Sequence, residues 1–362
     1  MNLQTQIGLT KSELASTLLI FALIVVAVLS SRLIRLTSNY AIEFEQETEL
    51  IFEEPANLKQ LQTKLEEQNV GINIEEMNWA ARILGWRNMQ RGRYVFEGNH
   101  SYNGFLSKMA RGIQDPVSVP ISPGITPERM AFILSEKLNF SQDDFISALN
   151  DSAYLAEKGM SSEELFGRML PDTYLIYWTI RPLDLIGRVN NEFENSFTQE
   201  FKDKAEELDL SINEVVTLAS IVEWEAKFPE EKAKISGLYW NRLNRGMRLQ
   251  ADPTVNFAVG ERRRLLFEDY QIDHPYNTYV IRGLPPGPIT NSSLSTIEAT
   301  LFPEEHDYLY MVANPEGGHV FTKTFIEHQA ESEKWRIWLR EQYRIKRQRE
   351  AAEQQLNEKE TR

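Results

Sequence analysis

No cysteine occurs in the 362 residues, and that absence excludes disulfides, zinc–thiolate sites, iron–sulfur clusters and a thiol nucleophile. Histidine is scarce: His100, His274, His306, His319 and His328 are scattered, and none forms a HExxH-like ligand pair, so neither a metal nor an organic cofactor is indicated. Positive charge is also short. The 39 Lys and Arg stand against 53 Asp and Glu, a balance that repels a phosphate backbone. No compact basic face interleaved with aromatics runs through the centre of the chain, so nucleic acid is not an expected partner. No internal repeat stands out.

A hydrophobic fraction of 42% and an aromatic fraction of 10% are enough for two modest domains. Leu14 to Ser31 reads LASTLLIFALIVVAVLSS without a charge, about the length of a bilayer-spanning helix. The run is long for a signal-peptide core and lacks a small-x-small cleavage site. We therefore read residues 14–34 as a retained transmembrane signal-anchor behind a short cytoplasmic N-terminus, 1–13. Lys11 and Glu13 precede the span while Arg32 and Arg35 follow it, a distribution that mildly favours the opposite topology.

Residues 38–115 mix extended runs with amphipathic helical patterns near Leu58–Gln68 and Tyr102–Arg111, predicting a small α+β module. Within it Gly92–Gly98 reads as a strand ended by a glycine turn and Phe105–Gly112 as a helix stopped by glycine. Val117–Gly124 is extended, and Thr126 with Pro127 caps a new helix. This opens a larger mixed unit over residues 116–335. Beyond Trp335 the chain becomes a highly charged, helix-forming tail, 336–362, whose end reads as solvated or disordered.

The most informative segment, Ser211–Ala226, opens with a Ser-x-x-Glu capping box and continues as an apolar helix. Val215, Leu218, Ala219, Ile221 and Val222 mark a buried face. Glu225 lies one turn beyond Ile221, pointing toward the core side, whereas Glu223 falls nearer the edge of that face. A carboxyl group desolvated there would hold its proton near neutral pH and could act as a general acid. The alternative is a salt bridge from Glu225 to Lys227, Lys232 or an arginine.

Two polar turns follow. Gln250, Asp252, Thr254 and Asn256 cluster after a glycine stop and offer the amide, carboxylate and hydroxyl groups that bind ring hydroxyls and acetamido groups. Asp252 could equally cap a helix starting at Pro253. The loop His274–Ile289, read as lying between two β-like runs, presents Asn277, Thr278 and Tyr279 on a stretch stiffened by Pro285, Pro286 and Pro288.

Five motifs stand in order: LPDTY at Leu170–Tyr174, LASIVEWEA at Leu218–Ala226, NRLNRGMRLQADPTV at Asn241–Val255, PYNTYVIRGLPPGPI at Pro275–Ile289 and YLYMVANPEGGHVFTKTFIEH at Tyr308–His328. Together they resemble the MltG (YceG-like) family of endolytic murein transglycosylases, over about residues 116–329. The chain departs from the family pattern at Ser122–Gly124 and at Phe166–Leu170.

The resemblance implies an α+β protein with an N-terminal transmembrane helix, a LysM-like module at 38–115 and a catalytic domain at 116–335. It implies a single-pass protein of the cell (inner) membrane with a periplasmic or extracytoplasmic body. The implied reaction cleaves the MurNAc–GlcNAc β-1,4 bond of peptidoglycan glycan strands to leave 1,6-anhydro ends. It maps catalysis onto Glu225, with Glu223 supporting it; the polar turns supply Gln250, Asp252, Thr254, Asn277 and Tyr279 as candidate substrate-binding residues. Peptidoglycan synthases of the penicillin-binding type are implied partners. Two alternatives stay open: a muramidase-type hydrolase using Glu225 and Asp252, and a non-catalytic, membrane-tethered glycan-binding scaffold.

Overall fold

The computed structural model describes residues 10–360; most of the stretch assigned above to a cytoplasmic N-terminus, 1–13, lies outside them. Helix α1 (Lys11–Thr37) opens with a complete capping box between Thr10 and Glu13. Its most apolar 18-residue window has a mean hydropathy of 2.5 with none of it buried, so it is long and apolar enough to cross a membrane. The remainder is mixed α and β.

The chain forms two compact units. The first contains the chain up to Ser118 together with Lys137–Asn139 and Leu175–Ile180. Its elements are β1 (Ile42–Phe52), the two-residue β2 (Ala56–Asn57), α2 (Leu58–Glu67), α3 (Ile74–Leu84), the two-residue β3 (Asn88–Met89), β4 (Gly92–His100) and α4 (Tyr102–Ala110). Strands β1 and β4 pair antiparallel from Ile42–His100 to Phe52–Gly92, with a register shift between Phe44 and Thr48. Alternation sends Phe44, Leu50, Phe52, Tyr94 and Phe96 inward, where they meet Leu61, Leu65, Met77, Phe105 and Met109. Helix α3 was not legible from periodicity, although Asn73 caps it and Gly85, in the left-handed region at φ 78°, ends it.

The second unit comprises Val119–Glu136, Phe140–Tyr174 and the chain from Arg181 onward. Strand β5 (Pro116–Ile121) leads toward α5 (Pro127–Ser135), α6 (Gln142–Leu149), α7 (Ser152–Lys158) and α8 (Ser162–Gly167); β6 (Asp172–Tyr177) precedes α9 (Pro182–Ser196) and α10 (Gln199–Glu207). Then come α11 (Ile212–Glu225), α12 (Lys232–Asn244), α13 (Asp252–Val259), α14 (Leu294–Leu301), the hairpin β7 (Tyr310–Ala313) with β8 (His319–Thr322), and α15 (Phe325–Glu360). Helix α15 runs without a break through Trp335, where the sequence reading drew a boundary.

Helix α11 is the centre of this unit. Every residue from Val215 to Val222 is buried, so it is enclosed on all sides and not along the single face expected from periodicity. Its two hydroxyls are absorbed internally: Thr217 donates to the Asn213 carbonyl, and Ser220 donates to the Thr217 carbonyl while accepting the Ile289 amide at 3.0 Å. The loop 274–289 contains turns, and residues 261–273 and 290–293 on either side of it hold no strand, correcting the β-like flanks read from sequence. Pro288 rests directly over Gly167, where a Cβ would collide with the proline ring and Val216. This close approach clamps the loop against α8.

Candidate active site

Glu223 and Glu225 leave the end of α11 toward different neighbours. Glu223 faces the start of α14 and accepts from the Ser293 amide (2.9 Å), the Ser293 hydroxyl (2.8 Å), the Thr296 hydroxyl and the Lys232 ammonium (3.2 Å). Burial alone would raise its pKa, but the hydroxyls, the amide and the ammonium outweigh it and hold Glu223 below the usual carboxylate value. Glu223 is thus a fully satisfied ion. It joins α11, α12 and α14 as a carboxylate at neutral pH.

Glu225 has no protein hydrogen bond to its carboxyl group among the described residues. Burial, followed by the nearby Asp252 charge, pushes its pKa up to about 7, with Arg242 opposing. It lines a cavity of about 410 Å³ together with Tyr239, Arg242, Gln250, Asp252, Tyr279, Tyr310, His319 and His328. None of the lysines named in the sequence reading is its partner: Lys232 belongs to Glu223, and Lys227 lies over the Phe228 ring.

The two polar turns are tied together behind this cavity. The Ala251 amide donates to the Thr278 hydroxyl at 3.0 Å, the hydroxyls of Thr254 and Thr278 meet at 2.8 Å, and the Gln250 amide donates to the Thr278 carbonyl. Thr254 and Asn277 are fully buried. The Asn277 side chain donates to the Tyr270 and Ile272 carbonyls and accepts the Tyr279 amide. These two candidates therefore shape the loops from inside and do not face the cavity.

Gln250, Asp252 and Tyr279 do face it. Gln250 is held at φ 49°, a left-handed conformation uncommon for a residue with a side chain and frequent at functional sites. Asp252 is the first residue of α13 and makes no capping bond, contrary to the capping alternative. Instead its two oxygens accept from the hydroxyls of Tyr279 (2.6 Å) and Tyr270 (3.2 Å). Burial and the Asp252 charge push Tyr270 up to about 12 and raise Tyr279 as well, so both remain donors.

Sequence reasoning missed the wall opposite. Tyr239 and Arg242, three residues apart on α12, share one helix face. Arg242 donates from Nε to the Leu309 carbonyl and from Nη1 to the Leu249 carbonyl, and its guanidinium lies 5.4 Å from the Tyr310 ring centre. The Tyr239 hydroxyl is buried without a partner. Burial, reinforced by the Glu225 charge, raises its pKa, so it too stays protonated. His328 on α15 is held below its ordinary pKa by burial and by Arg242, hence neutral. A tyrosine and an arginine three residues apart on α12 were the available signal. Among the described residues, no group of three or more His, Asp or Glu side chains could hold a metal ion.

Residues 51–334 match the model of the YceG-like family. The chain belongs to that family. Among curated YceG-like relatives, it is 29% identical over 287 residues to the endolytic murein transglycosylase of Bacillus subtilis, covering 75% of this chain and 80% of the relative. It is 25% identical over 300 residues to an endolytic murein transglycosylase of Streptococcus pneumoniae, covering 74% of this chain but 54% of that longer relative. The crystal structure of a yceG-like protein from Listeria monocytogenes superposes with a TM-score of 0.57 at 27% identity, over 79% of this chain and 99% of the other.

Proposed function

We propose that this YceG-like chain is an endolytic murein transglycosylase that cleaves the MurNAc–GlcNAc β-1,4 bond within peptidoglycan strands, with Glu225 as both acid and base. The observation that carries the reading is the placement of Glu225, whose carboxyl group lines a polar cavity without a protein donor among the described residues and has its pKa raised to about 7, beside Glu223, whose carboxylate accepts from four donors and is held below its ordinary value.

In the first half-reaction Glu225 donates its proton to the glycosidic oxygen as the bond from C1 breaks, and the GlcNAc-side alcohol leaves. The resulting carboxylate then takes the proton of the MurNAc C6 hydroxyl while that oxygen attacks C1, closing the 1,6-anhydro ring and restoring the acid. No water is consumed. Arg242 offsets the transient negative charge on Glu225, and Gln250, Asp252 and Tyr279 offer groups for sugar substituents and help hold the ring. Glu223 acts through the packing of α11, α12 and α14.

The apolar helix α1 supports anchoring of the protein in the cell membrane, with the body on the extracytoplasmic side where strands are made. Residues 38–115 are assigned as the LysM-like module, residues 116–335 as the catalytic domain and residues 336–362 as the charged tail. A peptidoglycan synthase is the expected partner, with cleavage limiting strand elongation. One observation favours a second reading: Asp252 shares the cavity with Glu225, and a pair of carboxyl groups is the arrangement of most glycoside hydrolases.

The test is digestion of purified glycan strands by the detergent-solubilised protein and its Glu225→Gln variant, with products read by mass spectrometry. Internal fragments bearing 1,6-anhydro ends that disappear in the variant are expected. Reducing ends would point to the hydrolase, and cleavage that persists in Glu225→Gln would remove Glu225 from the role. Strand binding without any cleavage by the wild type would favour the scaffold.

A further inference from the structure

Asp252, Asn256 and Gly260 follow at four-residue intervals, Gly260 being the cap of α13, so they form a row along one face. At 1.5 Å per residue the row is about 12 Å long. Three hollows open along it. Glu225 and Asp252 line both the 410 Å³ cavity and a second of about 220 Å³. Trp224, Asn256 and Arg262 line that second hollow and also a third, of about 320 Å³, which reaches Gly260. The acid therefore stands where adjoining hollows share walls, with room on more than one side of it.

The third hollow differs in chemistry from the first. Phe166, Phe257, Ile146 and Pro288 give it a mainly apolar wall that also carries Glu128, Glu163 and Glu261, while Asn256 and Arg262 are shared with the middle hollow. Trp224 and Glu225 are successive residues at the end of α11, turned about 100° from one another. The helix end thus presents a carboxyl group to the first hollow and an indole to the third. The indole is fixed by its Nε1 donating to the Gly124 carbonyl at 2.9 Å, and the Arg262 guanidinium lies 5.0 Å from its ring centre. Asn256 accepts the Arg263 amide at its Oδ1, whereas its amide nitrogen has no protein partner among the described residues.

We infer that the third hollow is a second sugar-binding arm, holding N-acetylhexosamine units of the same strand on the far side of Glu225 from the polar cavity. The assignment rests on the transglycosylase reading above. Apolar ring faces and acetamido methyl groups lie against Trp224 and Phe257, and the free amide of Asn256 with the Arg262 guanidinium takes the polar substituents. Occupation on both sides of the acid selects bonds inside a strand over bonds at its end.

Two variants test the arm. Ile146→Trp fills the hollow, and Arg262→Ala, at an exposed position where misfolding is not a concern, removes a polar group at its junction. Full-length solubilised enzyme is assayed on long strands with and without stem peptides and on tetrasaccharide fragments. The ratio of kcat/KM on long strands to that on fragments is expected to fall about tenfold, equivalent to ~1.4 kcal/mol of binding, with KM carrying the change. An unchanged ratio in both variants would overturn the proposal. So would an effect confined to strands bearing stem peptides, because the hollow would then belong to the peptide. Titration calorimetry of the same strands against Glu225→Gln, with and without Ile146→Trp, separates the two levels. If the wild type cleaves nothing, the transglycosylase reading fails, while a tenfold loss of strand affinity on filling the hollow still upholds the arm and an unaltered affinity sinks it.

Discussion

Glu223 and Glu225 stand two residues apart on α11 and are held in opposite protonation regimes, Glu223 below the ordinary carboxylate value and Glu225 raised to about 7. Both are partly buried. Glu223 meets two hydroxyls, an amide and an ammonium group, whereas Glu225 meets the like charge of Asp252 and no donor bonded to it. The contrast arises from the start of α14, which supplies Ser293 and Thr296 to one carboxylate only.

A pH profile follows from that difference. In the proposed reaction Glu225 must be protonated for the first step, so kcat/KM should fall on the alkaline side with an apparent pKa near 7. Rates on soluble strands across pH 5–9 would show it. A flat profile through neutrality would remove Glu225 from proton donation.

Asp252→Asn takes away the like charge that raises Glu225. The alkaline limb should then move to lower pH, by up to about one unit, with part of the activity lost because the Tyr279 and Tyr270 hydroxyls lose a charged acceptor. A limb that stays in place would show that the two carboxyl groups are not electrostatically coupled.

Glu225→Gln is expected to stabilise the fold above neutral pH. A carboxyl group whose folded pKa lies above its unfolded value destabilises the protein once it ionises, and this penalty grows as pH rises from about 4.5 to about 7. At 1.36 kcal/mol per unit the upper limit is about 3 kcal/mol. Thermal melts at pH 5 and pH 8 should show a Tm advantage for the variant that is larger at pH 8.

Glu223→Ala should destabilise by about 3 kcal/mol or more, because it leaves the Lys232 ammonium buried without its counter-charge. Adding Lys232→Met should recover much of the loss in urea unfolding. If Glu223→Ala instead abolished cleavage at unchanged stability, its role would be catalytic and not structural.

Tyr239→Phe removes a buried hydroxyl that has no partner. The melting temperature should hold or rise, since an unsatisfied polar group is deleted. If the hydroxyl donates to Glu225 or to the sugar once the cavity is occupied, kcat should drop by about tenfold to a hundredfold. An unaltered kcat would restrict Tyr239 to packing.

Much of the local structure was legible residue by residue, because its causes are local. A charge-free run sets the apolar helix α1, and Ser211 with Glu214 sets the start of α11. Thr126 with Pro127 starts α5, and left-handed glycines follow α4 and α12. Elements whose causes are not local were missed or misread: α3, whose apolar residues pack under β1 and β4, and the runs beside the loop 274–289, which read as β-like but find no strand partner.

The candidate site divides along the same line. The sequence by itself determined which groups exist near the end of α11: two carboxyl groups two positions apart, a glutamine, an aspartate and a tyrosine on two polar turns, and no thiol anywhere. Only the tertiary structure decided their states. It set α14 against Glu223 and left Glu225 facing Asp252, enclosed α11 on every side, turned Thr254 and Asn277 inward, and brought Tyr239 and Arg242 to the cavity wall. The reason is physical: a propensity or a cap depends on a few neighbouring residues, whereas desolvation and the field at a carboxyl group depend on what packs around it from distant parts of the chain.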